Sequence, residues 1–202
     1  MSKRSSAQVG AIISAAISLI AFLYKFSLGV LTASIILMVA SGSTLIVFFC
    51  KVLFIKNINS TRYRKKVAYF IMMILALSFG VLFLLFAVLK IGGIDTSRSN
   101  NFTGWLSYLF MAFVILMFLL SIINLKGALE KDDIMVIGLK EMTFVSALAD
   151  AVIIEEFLYK TILYSLNIPF LSIVNNYFPL LVAVFMLSIP FFMFRRYREY
   201  AI

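Results

Sequence analysis

Long apolar runs alternate with short segments that hold most of the basic residues of this 202-residue chain. Six of the runs approach the length of about 20 residues that a helix needs to cross the hydrocarbon core of a bilayer. Their predicted spans are about residues 7–24, 30–55, 67–89, 105–125, 134–158 and 179–194. Lipid cannot satisfy exposed backbone groups, and no run alternates polar with apolar residues as a barrel strand would. The pattern therefore predicts helices.

Composition supports a location in the membrane. The chain is 63 % hydrophobic and only 13 % charged, which is unusual for a soluble domain. We therefore expect an all-α integral membrane protein with one transmembrane domain, a bundle of six transmembrane helices embedded in the lipid bilayer. The first run follows a basic start but has the length of a bilayer crossing. We expect it to be retained as a helix and not cleaved as a signal peptide.

Basic residues are concentrated in alternate connections. One side of the predicted bundle carries Lys3, Arg4, Lys56, Arg62, Arg64, Lys65, Lys66, Lys126, Lys131, Arg195, Arg196 and Arg198. The opposite side carries only Lys25, Lys90 and Arg98. Because positive residues favour the inner side of a membrane, we expect both termini in the cytoplasm and the protein in the plasma membrane of a bacterium.

The residue inventory excludes several kinds of site. The chain has no histidine, and Cys50 is its only cysteine. These absences exclude histidine-based catalysis, imidazole zinc sites, an internal disulfide and paired-cysteine redox motifs. The net charge of +9 is explained by the basic flanks of the helices, because no soluble basic domain is predicted that would bind nucleic acid. We expect no enzyme activity, cofactor, bound metal or nucleic-acid partner.

The fifth run contains three carboxylates and a lysine: Asp150, Glu155, Glu156 and Lys160. A carboxylate at the centre of a bilayer costs about 2.5 to 3.5 kcal/mol on insertion scales, so it normally faces the interior of a bundle or a water-filled cavity. Helical spacing places Thr143, Ser146 and Asp150 on one stripe. The stripe offers only oxygen atoms, which suit protons, Na⁺ or hard divalent cations. Structural hydrogen bonding to neighbouring helices is the alternative role for Asp150.

The other charges of this run are expected nearer the outer surface. Glu156 and Lys160 are four residues apart, with the acid first, which favours an ion pair on a helix. Glu155 points away from that pair, and Lys25 is a candidate partner for it on the same side of the membrane. The segment "AVIIEEFLYKTILYSL" also resembles the paired-glutamate segment of CAAX-type membrane proteases. Those proteases complete their site with histidines, which this chain lacks, so we expect no protease.

A second resemblance covers nearly the whole chain. The order and spacing of the six runs, and above all "YKFSLGVLTASIILMVASGS", are similar to the transmembrane domain of cation diffusion facilitators. Members of that family often have a lysine, a glycine and a Leu-Thr-Gly-Ser segment there, matched here by Lys25, Gly29, Leu31, Thr32, Ala33 and Ser34. The third run also resembles its counterpart, with a basic start and a glycine at Gly80. "SALAD" takes the place of the family's metal-binding motif in the fifth helix.

The resemblance implies the bundle fold and a homodimer, but not zinc transport. The family's metal ligands fall on Ser43, Val47, Ser146 and Asp150, and only Asp150 is anionic. Four good donors are needed for a tetrahedral zinc site, and the family's cytoplasmic metal-binding and dimerising domain has no counterpart in the sequence. A divergent relative without the metal chemistry is therefore expected.

Two functions remain open at this stage. The first is a small transporter for protons or a hard cation, with Asp150 as the ionisable group and Thr143, Ser146 and Ser43 as oxygen neighbours. The second is a non-catalytic membrane subunit or scaffold, whose charged residues dock another membrane protein. The midplane carboxylate favours the first function, whereas the missing ligand set favours the second.

The expected orientation is open to a labelling test. In a Cys50→Ser background, Arg62→Cys should react with a membrane-impermeant thiol reagent only from the cytoplasmic side. Cysteines placed at Asn100 or Asn101 should react only from outside. Labelling of position 62 by reagent added to intact cells would contradict the orientation.

Overall fold

Six α-helices make up the part of the chain that the computed structural model describes, which comprises residues 3–93, 105–129, 133–160 and 168–200, and this part contains no strand. The helices are α1 (Lys3–Leu31), α2 (Ile35–Asn57), α3 (Arg62–Ile91), α4 (Trp105–Leu129), α5 (Ile134–Leu158) and α6 (Pro169–Glu199).

Four segments in the described residues are long and apolar enough to cross a membrane: Val9–Leu31, Ile35–Asn57, Arg62–Ile91 and Phe170–Glu199. The apolar part of α4, Met111–Gly127, is shorter, and α5 is interrupted by its charged residues. The prediction of an all-helical, multi-pass membrane protein is thereby confirmed. Six crossings, the side on which the termini lie and the kind of membrane stay predictions.

Most helices run past the predicted apolar spans, because hydropathy detects only the part of a helix that suits hydrocarbon. The first helix continues through Lys25 to Leu31. A short turn follows, in which Ala33 has a positive φ of 49°, and α2 begins at Ile35. The last helix begins at Pro169 and contains Pro179, where the predicted span began. Proline at the first helical turn is well tolerated, whereas an internal proline removes one backbone hydrogen bond.

The fifth helix is the centre of the bundle. It packs against α2, α3, α4 and α6, while α1 packs on α2 and α3 packs on α6. Fifteen of its 25 residues are buried, among them Glu141, Asp150 and Glu156, so these three carboxylates lie inside the protein and not on a lipid-facing surface.

Polar contacts join the helices at one end of the bundle. Arg62, at the start of α3, donates a hydrogen bond of 3.0 Å to the backbone carbonyl of Tyr200, just after α6. Lys65 forms an ion pair of 2.7 Å with Asp133, which caps the start of α5. Lys51, late in α2, donates to the carbonyl oxygen of Ser14, early in α1. We call this end the terminus end and the opposite end the loop end.

Two apolar clusters fill the bundle, one towards each end. On α2, Ala40 belongs to the loop-end cluster and Val47 to the terminus-end cluster. Ser43 and Thr44 lie between them and are buried. Buried hydroxyl groups therefore mark the boundary between the two apolar clusters, and they need hydrogen-bond partners there.

A close approach between α3 and α5 depends on Gly138. A Cβ atom at this position would lie 2.6 Å from Cδ2 of Tyr69 and 3.2 Å from Sδ of Met72. The Tyr69 ring is fully buried, and its hydroxyl donates a 3.0 Å hydrogen bond to Glu141. The ring therefore has little room to yield.

We expect Gly138→Ala to lower the free energy of unfolding by about 1 to 3 kcal/mol, because it overpacks this contact. Thermal unfolding in detergent micelles measures the change. Gly127→Ala is the matched control, because a Cβ atom there would meet no atom within 4 Å and alanine favours a helix. If the Gly138 variant proves as stable as the wild type, the helices do not approach this closely.

Candidate functional site

An ion pair lies inside the bundle at the predicted site. The Lys25 ammonium on α1 is 2.5 Å from Oδ1 of Asp150 on α5. The two residues are only 5 % and 7 % exposed, so this is a buried charge pair. Lys25 also donates a 3.2 Å hydrogen bond to Oγ1 of Thr44 on α2. Asp150 lies one turn, or about 6 Å, beyond the midpoint of α5 towards the loop end.

Lys25 pairs with Asp150 and not with Glu155, for which the sequence analysis had offered it as a candidate partner. The first helix continues for six residues after Lys25, and the side chain enters the bundle. A buried carboxylate without a counter-charge is costly, whereas a close ammonium offsets much of that cost. Asp150 is therefore paired with Lys25, which the sequence analysis had placed among the flanking residues.

Two of the predicted oxygen neighbours meet one turn away from Asp150. The hydroxyl oxygens of Ser43 and Ser146 are 2.9 Å apart. Ser43 donates its only hydrogen to the carbonyl oxygen of Ala40 at 2.6 Å, so Ser146 must be the donor in the contact between the two serines. The remaining lone pairs of both hydroxyls are available to accept further contacts one turn of α5 away from Asp150.

Thr143 differs from the other predicted site residues. It is half-buried, and its hydroxyl donates a hydrogen bond of 2.8 Å to the carbonyl oxygen of Leu139 in its own helix. Thr44, which the sequence analysis did not select, provides the hydroxyl that contacts Lys25.

A second charged cluster lies closer to the loop end. Lys90 on α3 is 2.5 Å from Oε2 of Glu156 and 3.2 Å from the side-chain oxygen of Asn175 on α6. Lys160 is 3.6 Å from the other carboxylate oxygen of Glu156. The predicted pair of Glu156 and Lys160 is thus present, but Lys90 is the closer cation. Lys90, expected in an exposed flank, is buried within α3.

Glu155 belongs to the surroundings of the same cluster. Its carboxylate interacts electrostatically with Lys90 and Glu156. Its Oε2 atom is buried without a hydrogen-bond partner among the described residues. Lys90 and Lys160 both form ion pairs with Glu156, so these ion pairs centre on Glu156 and not on Glu155.

A third cluster lies towards the terminus end. Glu141 of α5 is only 5 % exposed and forms an ion pair with Arg196 of α6. The Tyr69 hydroxyl of α3 donates to the second carboxylate oxygen of Glu141 at 3.0 Å. The sequence analysis missed this cluster, because it counted Arg196 among the basic flanking residues and did not consider Glu141.

The chemistry of the central site is that of oxygen atoms and an ammonium group. Among the described residues, no group of three or more histidine, cysteine, aspartate or glutamate side chains could hold a metal ion. The Lys25 ammonium lies where a cation would approach Asp150. The Lys25 ammonium therefore occupies the cation position beside Asp150, and a cation from solution would have to displace it.

The two lysines that sequence reasoning misassigned share one signal. Lys25 and Lys90 each have apolar residues on both sides, in "FLYKFSL" and "AVLKIGG". Matching buried carboxylates with such isolated lysines would have suggested both pairs. No family model, curated protein or solved structure matches the chain, so the proposals below depend on the geometry of these clusters.

We expect Lys25→Met to destabilise the protein by about 3 to 5 kcal/mol, because it leaves the Asp150 carboxylate buried and unpaired. The double variant Lys25→Met with Asp150→Asn should recover most of this loss, since both groups are then neutral. Thermal or denaturant unfolding in detergent measures both changes.

Lys65→Met is the matched control. It removes the lysine from the more exposed ion pair with Asp133 and should cost less than about 1 kcal/mol. A double variant that is no more stable than Lys25→Met would mean that the two residues do not act as a pair.

Proposed function

We propose that this chain is a small multi-pass transporter that moves protons or a hard cation such as Na⁺ across the membrane through the site around Asp150. The observation that carries the proposal is the buried ion pair of Lys25 and Asp150, which joins two helices inside an apolar bundle. Ionisable residues at such depth are rare in membrane helices and usually mark the path of an ion or proton.

Stability alone gives little reason for such a pair. Replacing a buried ion pair with well-packed apolar residues is often neutral or stabilising, because desolvation offsets the attraction between the charges. Structural bonding between helices needs only neutral groups, such as the contact of Ser43 with Ser146. Two ionisable groups in the same place add the ability to gain and lose charge.

Charge balance suggests how the site would work. While Lys25 is protonated, the pair is neutral and an external cation is excluded. A cation that binds Asp150 must displace the ammonium, and two positive charges beside one buried carboxylate would be unfavourable. Lys25 would therefore release its proton as a monovalent cation binds, and regain one as the cation leaves. The cycle exchanges one proton for one cation.

Oxygen neighbours favour a hard cation over a soft one. The hydroxyl of Thr44 contacts the Lys25 ammonium, so it lies where a displacing cation would bind. The carboxylate of Asp150 and the hydroxyls of Ser43 and Ser146 would supply further oxygen atoms. Carboxylate and hydroxyl oxygens suit hard cations better than zinc or copper.

The scaffold alternative is less well supported by this geometry. The scaffold function requires charged residues of the fifth helix that are accessible to another membrane protein. Asp150, Glu156 and their lysines are instead buried against one another within the chain. These groups are therefore already satisfied. A homodimer or another membrane partner would have to bind through other surfaces.

Flux measurements in proteoliposomes test the proposal. The wild-type protein should exchange protons for Na⁺, K⁺ or Mg²⁺, as followed by a pH-sensitive dye inside the vesicles. Asp150→Asn should lose the exchange, because the amide keeps the size of the side chain without its charge. The double variant Lys25→Met with Asp150→Asn, in which no buried charge is left unpaired at the site, should fold and lose the exchange too. Asp133→Asn, at the start of the same helix, should retain it, since asparagine caps a helix as well as aspartate does.

Two results would overturn the proposal. One is wild-type protein that moves none of these ions although it is folded and correctly inserted. The other is an Asp150→Asn variant with normal flux. If flux is absent and Asp150→Asn also prevents co-purification of another membrane protein, the scaffold function replaces the transporter.

A further inference from the structure

The central helix is tied to the same two neighbours at two separate levels. Towards the loop end, Glu156 contacts Lys90 of α3, which also contacts Asn175 of α6. We call these three residues the loop-end lock. Towards the terminus end, a second set of three residues again joins α5 to α3 and α6. This terminus-end lock consists of Glu141, Tyr69 and Arg196.

The central site uses different helices. Asp150 pairs with Lys25 of α1, which also contacts Thr44 of α2, and Ser146 contacts Ser43 of α2. One side of α5 is therefore attached to α1 and α2 through the site. Its other side is attached to α3 and α6 through the two locks.

The locks lie on opposite sides of the site along the axis of α5. Glu141 and Glu156 are 15 residues apart on α5, which corresponds to about 22 Å. Ser146 and Asp150 fall between them. An ion that reached Asp150 from either end along the α3 and α6 side of α5 would have to pass one lock.

The third and sixth helices form a closely packed pair. At Gly80 of α3, a Cβ atom would lie 2.9 Å from Cδ2 of Leu187 on α6, so the two helices approach each other with little free space. Close packing favours movement of both helices as one unit. A proline in α6 adds a bending point, because Pro179 has no N–H to donate to the backbone carbonyl of Asn175. The side chain of the same Asn175 belongs to the loop-end lock.

We infer that the pair of α3 and α6 is the gate of the transporter proposed above, and that its two locks open alternately. This inference rests on the proposed function. With the terminus-end lock open and the loop-end lock closed, water enters between α5 and the α3–α6 pair from the terminus side and reaches the level of Asp150. With the locks reversed, water enters from the loop side. A bundle with both locks open would leak, so each lock must hold while the other is open.

The charges in the locks make opening dependent on water. Separating Lys90 from Glu156 in a dry interior would leave two buried unpaired charges, which is strongly unfavourable. Water that enters from the adjacent end solvates both groups and removes much of this cost. A lock therefore opens only together with an aqueous path to its own side of the membrane.

A buried cysteine between the locks reports which side is open. Ala149 is fully buried and lies two turns before Glu156 on the same face of α5. We would place Ala149→Cys in a Cys50→Ser background and measure its rate of reaction with a membrane-impermeant thiol reagent, added to either side of oriented proteoliposomes. Exposed reference cysteines, Thr61→Cys for the terminus side and Gly92→Cys for the loop side, establish the orientation.

The expected result is specific to one side. Arg196→Gln, which breaks the terminus-end lock, should raise the reaction rate from the terminus side by about 5- to 150-fold, the range of typical conformational couplings, and leave the loop side unchanged. Lys90→Gln should do the reverse. Each lock variant is thus the control for the other. Arg195→Gln, which breaks an exposed ion pair with Glu199, should change neither rate.

Loosening of the whole protein has a different signature. If both variants raise the rate from both sides, or from neither, the inference is overturned. A charge swap, Glu141→Arg with Arg196→Glu, should restore the low rate from the terminus side if the lock acts through its ion pair. Failure of the swap in a protein that still folds would count against the lock.

The labelling rates need no transported ion, so the two proposals fail separately. Specific opening to one side in a protein without flux would retain the gate and overturn the transporter. Normal exchange of protons for cations, combined with unspecific labelling, would overturn the gate and retain the transporter.

Discussion

A charged side chain inside an apolar bundle is tolerable only beside an opposite charge, and this constraint determines how α5 is surrounded. Its buried carboxylates each meet a cation from another helix, in the pairs Asp150 with Lys25, Glu156 with Lys90, and Glu141 with Arg196. Shifting α5 by one residue relative to its neighbours would break all three pairs together. Apolar contacts alone would allow many similar packings of six apolar helices, whereas the three ion pairs specify one register of α5 against its neighbours.

Sequence patterns predicted the helical membrane fold and the position of Asp150 inside it, because both follow from hydropathy and from the cost of a charge in lipid. Ser43 was reached through a family resemblance, and the structure places it beside Ser146. The cations were misassigned, since Lys25 and Lys90 were taken as surface flanks. Which lysine reaches which carboxylate depends on helix packing, and a single sequence contains no direct record of packing. Thr143 was selected by helical spacing, which does not reveal that its hydroxyl bonds within its own helix.

Packing and polar chemistry depend on each other at the terminus end. The absence of a side chain at Gly138 allows α3 to approach α5 closely enough for the Tyr69 ring to lie against the backbone. That position brings the Tyr69 hydroxyl to Glu141, which also binds Arg196. A methyl group at residue 138 would therefore disturb a hydrogen bond to a carboxylate one turn away. The same few residues therefore provide both the close packing of α3 against α5 and the partners of the buried carboxylate.

The long sequence separation of Lys25 and Asp150 has a consequence for biosynthesis. The two residues are 125 positions apart, so at ribosomal rates Lys25 emerges about 6 to 25 s before its counter-charge. During that interval α1 carries an unpaired ammonium. Lys25 lies six residues before the end of α1, about 9 Å along the axis, which is close enough for its flexible side chain to reach the lipid headgroups. The nascent first helix would thus sit shallowly in the bilayer, and the arrival of α5 would draw it to its final depth.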